Sequence, residues 1–241
     1  MDKVPTGIKG LDNMLNGGLP KGRVILICGG PGSGKTIFSL QHLIAAVTRG
    51  EPCVYLTLEE PLAFLKQNVE SIGWNLEDLE KEGSLRLSEF SINADLPQEK
   101  KGYKKNNDLL SDSIIERVRS LVHEVDAKHI VIDPLTSVTI KQQRAGMKRH
   151  EIAKIFSKLR RLECTSLLTT ECVPAPTDFY MEEFVADGVI LLNKVVQNYR
   201  LVNILRIEKM RGIAYDDQPR RYIIDKHGLT VYNTEPVMVG S

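Results

Sequence analysis

Long apolar runs are missing from this sequence. No stretch approaches the roughly 20 consecutive apolar residues that a helix needs to cross a bilayer, and the opening MDKVPTGIKG has no apolar segment of signal-peptide length. A soluble, cytoplasmic chain with no membrane partner is therefore expected. Charge of one sign is missing too, because 32 lysines and arginines face 31 aspartates and glutamates. No overall field draws the chain to nucleic acid, so any basic partner site has to be a local patch. Cysteine is scarce: Cys28, Cys53, Cys164 and Cys172 form no C-x-x-C pair, and the first two sit in apolar runs. That spacing points to reduced, mostly structural thiols. Internal repeats and an interdomain linker are absent as well, and 241 residues suffice for one large core. Residues 1–241 are read as a single domain.

Short β-branched runs are present in their place. RVILIC (23–28), CVYLTL (53–58), SLRLSEF (84–90), HIVID (129–133), TSLLTT (165–170) and GVILLN (188–193) are mostly separated by segments of helical spacing at 35–48, 61–72, 108–125 and 147–162. Nearly continuous apolar strands alternating with helices predict an α/β fold with a mostly parallel sheet covered on both faces. After residue 194 the alternation stops, and YRLVNILRIEKM, RRYIID and GLTVY predict an antiparallel C-terminal extension. The polar stretch 93–108 has too little apolar surface to fix itself and reads as a long surface loop.

GGPGSGKT, from Gly29 to Thr36, fits the phosphate-binding P-loop in full, after a strand and at the start of a helix. Its residues Gly29, Gly30, Pro31, Gly32, Ser33 and Gly34 turn backbone N–H groups around phosphate oxygens at a helix N-terminus. Lys35 is placed to reach the β and γ phosphates, and the Thr36 hydroxyl to ligate Mg²⁺. A P-loop needs a second carboxylate for magnesium at the end of a buried strand, and HIVID supplies Asp133 there. Hydrolysis further requires a group that orients or deprotonates water. Glu59 and Glu60 end the strand CVYLTL, on the edge that faces the ligand crevice of a parallel sheet. They equally suit the start of the next helix, and the residues leave both readings open. Glu171, closing TSLLTTE, is a third strand-end polar group suited to sensing the γ-phosphate.

With these motifs in place, the sequence resembles the RecA superfamily and, within it, the KaiC-like ATPases. PTGIKGLDNMLNGGLPKG (5–22) resembles the family's lead into the P-loop, and LTLEEP, IVIDPLTS, LLTTE, EEFVADGVILL and RIEKMRG follow in family order. The resemblance implies a RecA-type P-loop NTPase core, ATP and Mg²⁺ as ligands, and a homo-oligomeric ring, usually hexameric, with nucleotide between subunits. It places Glu59 and Glu60 at the catalytic carboxylate position. It also assigns Lys209 and Arg211 to a basic pair that reaches the neighbouring subunit's γ-phosphate; without the family that pair reads as a solvated strand end. Two departures stand out. The family's clock protein is a tandem duplication, whereas this chain holds one copy. Where its self-phosphorylating half carries a Ser-Thr pair, this chain has Glu183 and Phe184, so an ATPase without autokinase activity is expected.

Three functions compete on these residues. The first is a ring ATPase that switches or regulates a protein partner the sequence does not name. The second is a recombinase-like DNA-binding ATPase, for which Lys141, Arg144, Lys148, Arg149 and His150 form a basic loop and Phe179 and Tyr180 offer stacking rings. The loop at 172–183 is acidic, which disfavours that reading. The third is an ATP-dependent scaffold with negligible turnover.

Overall fold

A computed structural model describes residues 1–91, 108–139, 145–171, 181–197 and 199–236. In chain order these form β1 (Lys3–Val4), α1 (Leu11–Met14), β2 (Leu19–Pro20), β3 (Val24–Gly29), α2 (Lys35–Thr48), β4 (Cys53–Thr57), α3 (Leu62–Glu70), α4 (Leu76–Lys81) and β5 (Leu85–Glu89). Then come α5 (Asp108–Val125), β6 (His129–Asp133), α6 (Thr136–Thr139), α7 (Ala145–Arg160), β7 (Thr165–Thr170), α8 (Met181–Val185), β8 (Gly188–Gln197), β9 (Arg200–Met210), β10 (Arg220–Asp225) and β11 (Gly228–Pro236). The surface loop expected at 93–108 lies outside the described residues except for Asp108, which opens α5.

Nine strands make one sheet in the order β11-β10-β9-β8-β3-β7-β6-β4-β5. From β5 to β8 neighbours run parallel, and from β8 to β11 they run antiparallel. The predicted parallel sheet with an antiparallel extension is therefore present. Successive side chains of β3 divide between two cores, as strand geometry demands. Ile25 and Ile27 pack with Phe38, Leu40 and Leu43 of α2, while Val24, Leu26 and Cys28 pack with Ile114 and Val118 of α5 and Ile155 and Phe156 of α7. Helix α7 buries Ile152, Ile155, Phe156 and Leu159, the i, i+3, i+4, i+7 stripe of one helical face. Each such side chain contributes about 1.5–3 kcal/mol by leaving water.

The elements depart from expectation where pairing overrides local pattern. The strand expected at 188–193 runs on to Gln197 because β9 pairs with it along its whole length. Past Leu192 its burial gives way to an exposed alternation, so the β8–β9 ribbon overhangs the sheet. The two-residue strands β1 and β2, too short to show in the pattern, pair antiparallel ahead of β3. Cys28, Cys53 and Cys164 are buried and form no disulfide among the described residues, and burial raises the Cys53 and Cys164 thiols, the latter to about 11. Cys172 lies outside the described residues.

Two interior contacts tie α2 to its surroundings. Fully buried His42 lies 3.2 Å through Nδ1 from the Thr6 carbonyl and 3.1 Å through Nε2 from His129 Nδ1. Burial, reinforced by His129, holds the His42 imidazole down at about 3. Gln41 meets both backbone groups of Leu229 on the outermost strand: its Oε1 accepts from the amide at 2.7 Å and its Nε2 donates to the carbonyl at 3.1 Å.

Candidate nucleotide-binding site

The P-loop occupies the carboxyl edge of the parallel strands. Gly29 ends β3, Gly30 to Gly34 make the turn, and Lys35 opens α2. Two glycines are required sterically. A methyl at Gly29 would collide with Ser33 Oγ and the Leu192 carbonyl, and Gly34 sits at φ 90 with Ile224 Cδ1 where its Cβ would lie. Lys35 arches back over the turn, its Nζ donating to the carbonyls of Gly29 at 2.8 Å and Gly30 at 3.1 Å. The ammonium is thereby held against the first two carbonyls of the loop.

Asp133 ends β6 on the same edge and is 7% exposed. Its Oδ2 accepts from Thr36 Oγ1 at 2.8 Å and from the Tyr55 hydroxyl at 2.6 Å, and its Oδ1 accepts from Thr169 Oγ1. Burial, followed by the Asp133 charge, raises the Tyr55 phenol well above its ordinary value, so it stays protonated and donates. The donor set suits a hard cation. Thr36 spends its hydrogen on Asp133 and keeps its lone pairs, and every candidate ligand is oxygen.

Glu59 and Glu60 follow the end of β4 at this edge, where Leu58 N donates to the Asp133 carbonyl at 2.8 Å. Their carboxylates part. Glu59 is exposed and accepts from Ser137 Oγ at 3.2 Å, whereas Glu60 is half-buried and accepts from Asn68 Nδ2 at 2.7 Å. Burial raises the Glu60 carboxyl, the Asn68 hydrogen bond opposes that, and the Asp133 charge adds to it. Glu171 is exposed beyond β7, its backbone N–H donating to Thr136 Oγ1 at 2.8 Å.

Lys209 and Arg211 are not part of this gathering. Gly29 pairs with Leu192, Gly188 with Ile25, and Lys209 with Val189, which puts the basic pair at the amino edge of the parallel strands, opposite the P-loop. There Lys209 Nζ donates to the Glu183 carbonyl and Arg211 Nη2 donates to the Phe184 carbonyl at 3.2 Å. Burial, then the Arg211 charge, lowers the Lys209 amine. Neighbouring Asp187 fixes the corner, accepting from Val24 N at the start of β3 and from Arg160.

Sequence reasoning missed four residues that the fold brings in. Tyr55 and Thr169 hold Asp133, the Tyr222 hydroxyl donates to the Ser33 carbonyl at 2.6 Å, and Lys194 rises beside the turn. A tyrosine inside the fully buried run CVYLT was the available signal, since a buried phenol needs a partner. Of the basic loop, Lys141 and Arg144 lie outside the described residues, as do Phe179 and Tyr180; Arg149 and His150 are exposed on α7. Among the described residues no helix is long and apolar enough to cross a membrane.

A family model described as "ATPase: KaiC" matches residues 4–236. The chain belongs to the KaiC ATPase family. It is 34% identical over 234 residues to UPF0273 protein MK0039 of Methanopyrus kandleri, covering 96% of this chain and 92% of that one. It is 32% identical over 236 residues to the circadian clock oscillator protein KaiC of Prochlorococcus marinus, where the match takes in 96% of this chain but 46% of the relative. The chain thus spans about half the length of that clock protein. Among solved structures, the KaiC-like protein PH0186 of Pyrococcus horikoshii is 31% identical and superimposes with a TM-score of 0.82, covering 96% of this chain and 99% of that one. The resemblance to KaiC-like ATPases and the RecA-type fold class both hold.

Proposed function

We propose that residues 1–241 act as one Mg²⁺-dependent ATPase domain that assembles into a homo-oligomeric ring, on the family pattern a hexamer, and serves as a cytoplasmic regulatory or switching module for a protein partner. The observation that carries the reading is the 2.8 Å contact between the hydroxyl of Thr36, the residue after Lys35, and the Asp133 carboxylate, which brings the parts of a nucleotide site from two distant segments to one edge. Backbone N–H groups of the turn and of the start of α2 hold the phosphates, and Lys35 leaves its carbonyls to offset the β and γ charge. Thr36 and Asp133 hold Mg²⁺, which when bound neutralises charge on the phosphate oxygens. Glu59 and Glu60, held by Ser137 and Asn68 respectively, supply the carboxylates, one of which takes the proton of the attacking water while the other helps to orient it. Glu171 couples the state of the site to α6 through Thr136. Lys209 and Arg211 serve the P-loop of an adjoining subunit, because they stand at the wrong edge for their own. No autokinase step is included, since Glu183 and Phe184 offer no hydroxyl.

The test is the double variant Glu59→Gln/Glu60→Gln beside Lys35→Ala. The glutamine pair is expected to bind ATP as tightly as the parent while phosphate release ceases, because an amide holds water but cannot take its proton. Lys35→Ala is expected to lose tight nucleotide binding. Parent-level hydrolysis by the glutamine pair removes those two residues from the chemistry, and parent-level affinity in Lys35→Ala removes the P-loop assignment.

A further inference from the structure

Lys194 stands beside the turn but has no role in the chemistry proposed above. Its strand, β8, lies beside β3, and Leu192 is level with Gly29, the last residue before the turn. Leu192 points into the core shared with α2. Side chains two apart on a strand share a face, so Lys194, one step beyond the sheet edge, points to the side on which the P-loop and α2 lie. Its Nζ comes within 3.5 Å of the place where a Cβ on Gly32 would stand. Gly32 sits at φ 67 in the middle of the turn and presents bare backbone there. Among the described residues the Lys194 side chain makes no hydrogen bond or ion pair, and it is exposed. An unpaired ammonium therefore stands against a loop built to collect anions.

We infer that Lys194 is a second phosphate-binding lysine of the nucleotide site, contacting the polyphosphate from the β8 side while Lys35 covers it from the helix. The inference rests on the reading of the P-loop as an ATP site. It differs from that reading in its source, since Lys194 comes from the antiparallel ribbon and lies outside the P-loop motif. A flexible ammonium at the rim contributes as a point charge, strongest when the phosphate is partly desolvated and weakened by salt.

Calorimetric titration of ADP and ATP with Mg²⁺ tests this on the full chain, comparing parent, Lys194→Gln, Lys194→Arg, Lys35→Ala and Arg200→Gln. Arg200 is exposed farther out on the same ribbon and serves as the control for a diffuse field. At low salt, Lys194→Gln is expected to weaken binding by about three- to tenfold, the range for an exposed charge-assisted contact. Lys194→Arg should stay near the parent, and the gap should close as salt rises. Arg200→Gln should bind as the parent does. Unchanged affinity in Lys194→Gln, or an equal loss in Arg200→Gln, overturns the inference while the ATP-site reading stands on the loss in Lys35→Ala. A parent chain that binds neither nucleotide overturns both.

Discussion

Mixing two inactive variants tests whether one chain completes the site of the next. Arg211→Ala keeps an intact P-loop, and Lys35→Ala keeps an intact basic pair. Within one chain the separation is set by register. Lys209 is level with Val189 and Gly29 with Leu192, three residues along β8, or about 10 Å at about 3.3 Å per residue. Strand β9 lies two places from β3, adding about 10 Å sideways at about 4.8 Å per strand. The backbones are thus about 14 Å apart before the turn rises further, and Arg211 is two residues more remote. Neither side chain bridges that gap while tied to the Glu183 and Phe184 carbonyls. Loss of a charge that stabilises phosphoryl transfer costs about 10³-fold or more in rate, so each variant alone should be silent. In an equal mixture with free exchange, about one interface in four joins an intact P-loop to an intact basic pair, as random occupancy of head-to-tail contacts requires. Phosphate release per chain should therefore recover to about a quarter of the parental rate. Silence in the mixture, with exchange confirmed by fluorescence transfer between labelled subunits, refutes action between chains.

Two further outcomes follow from packing and burial. Gly34→Ala places a methyl against Ile224 at a positive φ, at a combined cost of about 2–4 kcal/mol read from the urea midpoint. Ile224→Ala in the same chain should return the steric share and leave the backbone share, and a double variant no more stable than Gly34→Ala would contradict the contact. His42 is held down at about 3 in the fold but takes its proton near 6.5 when exposed, so the unfolded chain binds the extra proton between those values. Stability should fall as pH drops below 6.5, by about 1.4 kcal/mol per unit and about 2 kcal/mol in all by about pH 5. Denaturation curves for His42→Leu should show a shallower decline across that window, and an unchanged slope would assign the acid sensitivity to other groups.

What was legible in the sequence is what short stretches encode alone. The glycines of GGPGSGKT announce the turn because their spacing is local, and Asp133 stands out only because that turn calls for a second carboxylate at a buried strand end; an isolated strand-end Asp more often caps a helix or makes a turn. Strands and the larger helices were placed to within a few residues by period. The sheet order was not legible, since β3 lies between β7 and β8, each more than 130 residues later in the chain. Everything decided by that order escaped notice: Thr169 and Tyr55 converging on Asp133, Tyr222 reaching Ser33, and Lys194 standing beside Gly32. Lys209 and Arg211 were found through the family's KMRG and not through their own chemistry, and only the register shows that they face away from their own P-loop.

The contact between Gln41 and Leu229 bears on solubility. β11 is the last strand of an open sheet, and an unpaired last strand is a template on which another chain can stack. Here a side-chain amide from α2 imitates a neighbouring strand, offering one donor and one acceptor to Leu229, and Val231 N donates to the Lys9 carbonyl at 2.9 Å. Lys9 and one glutamine thus act as a guard rail along this part of the outermost strand. Without them the backbone groups of Leu229 and Val231 would stand open to a neighbouring chain, so residues nearly two hundred positions away shield the outermost strand.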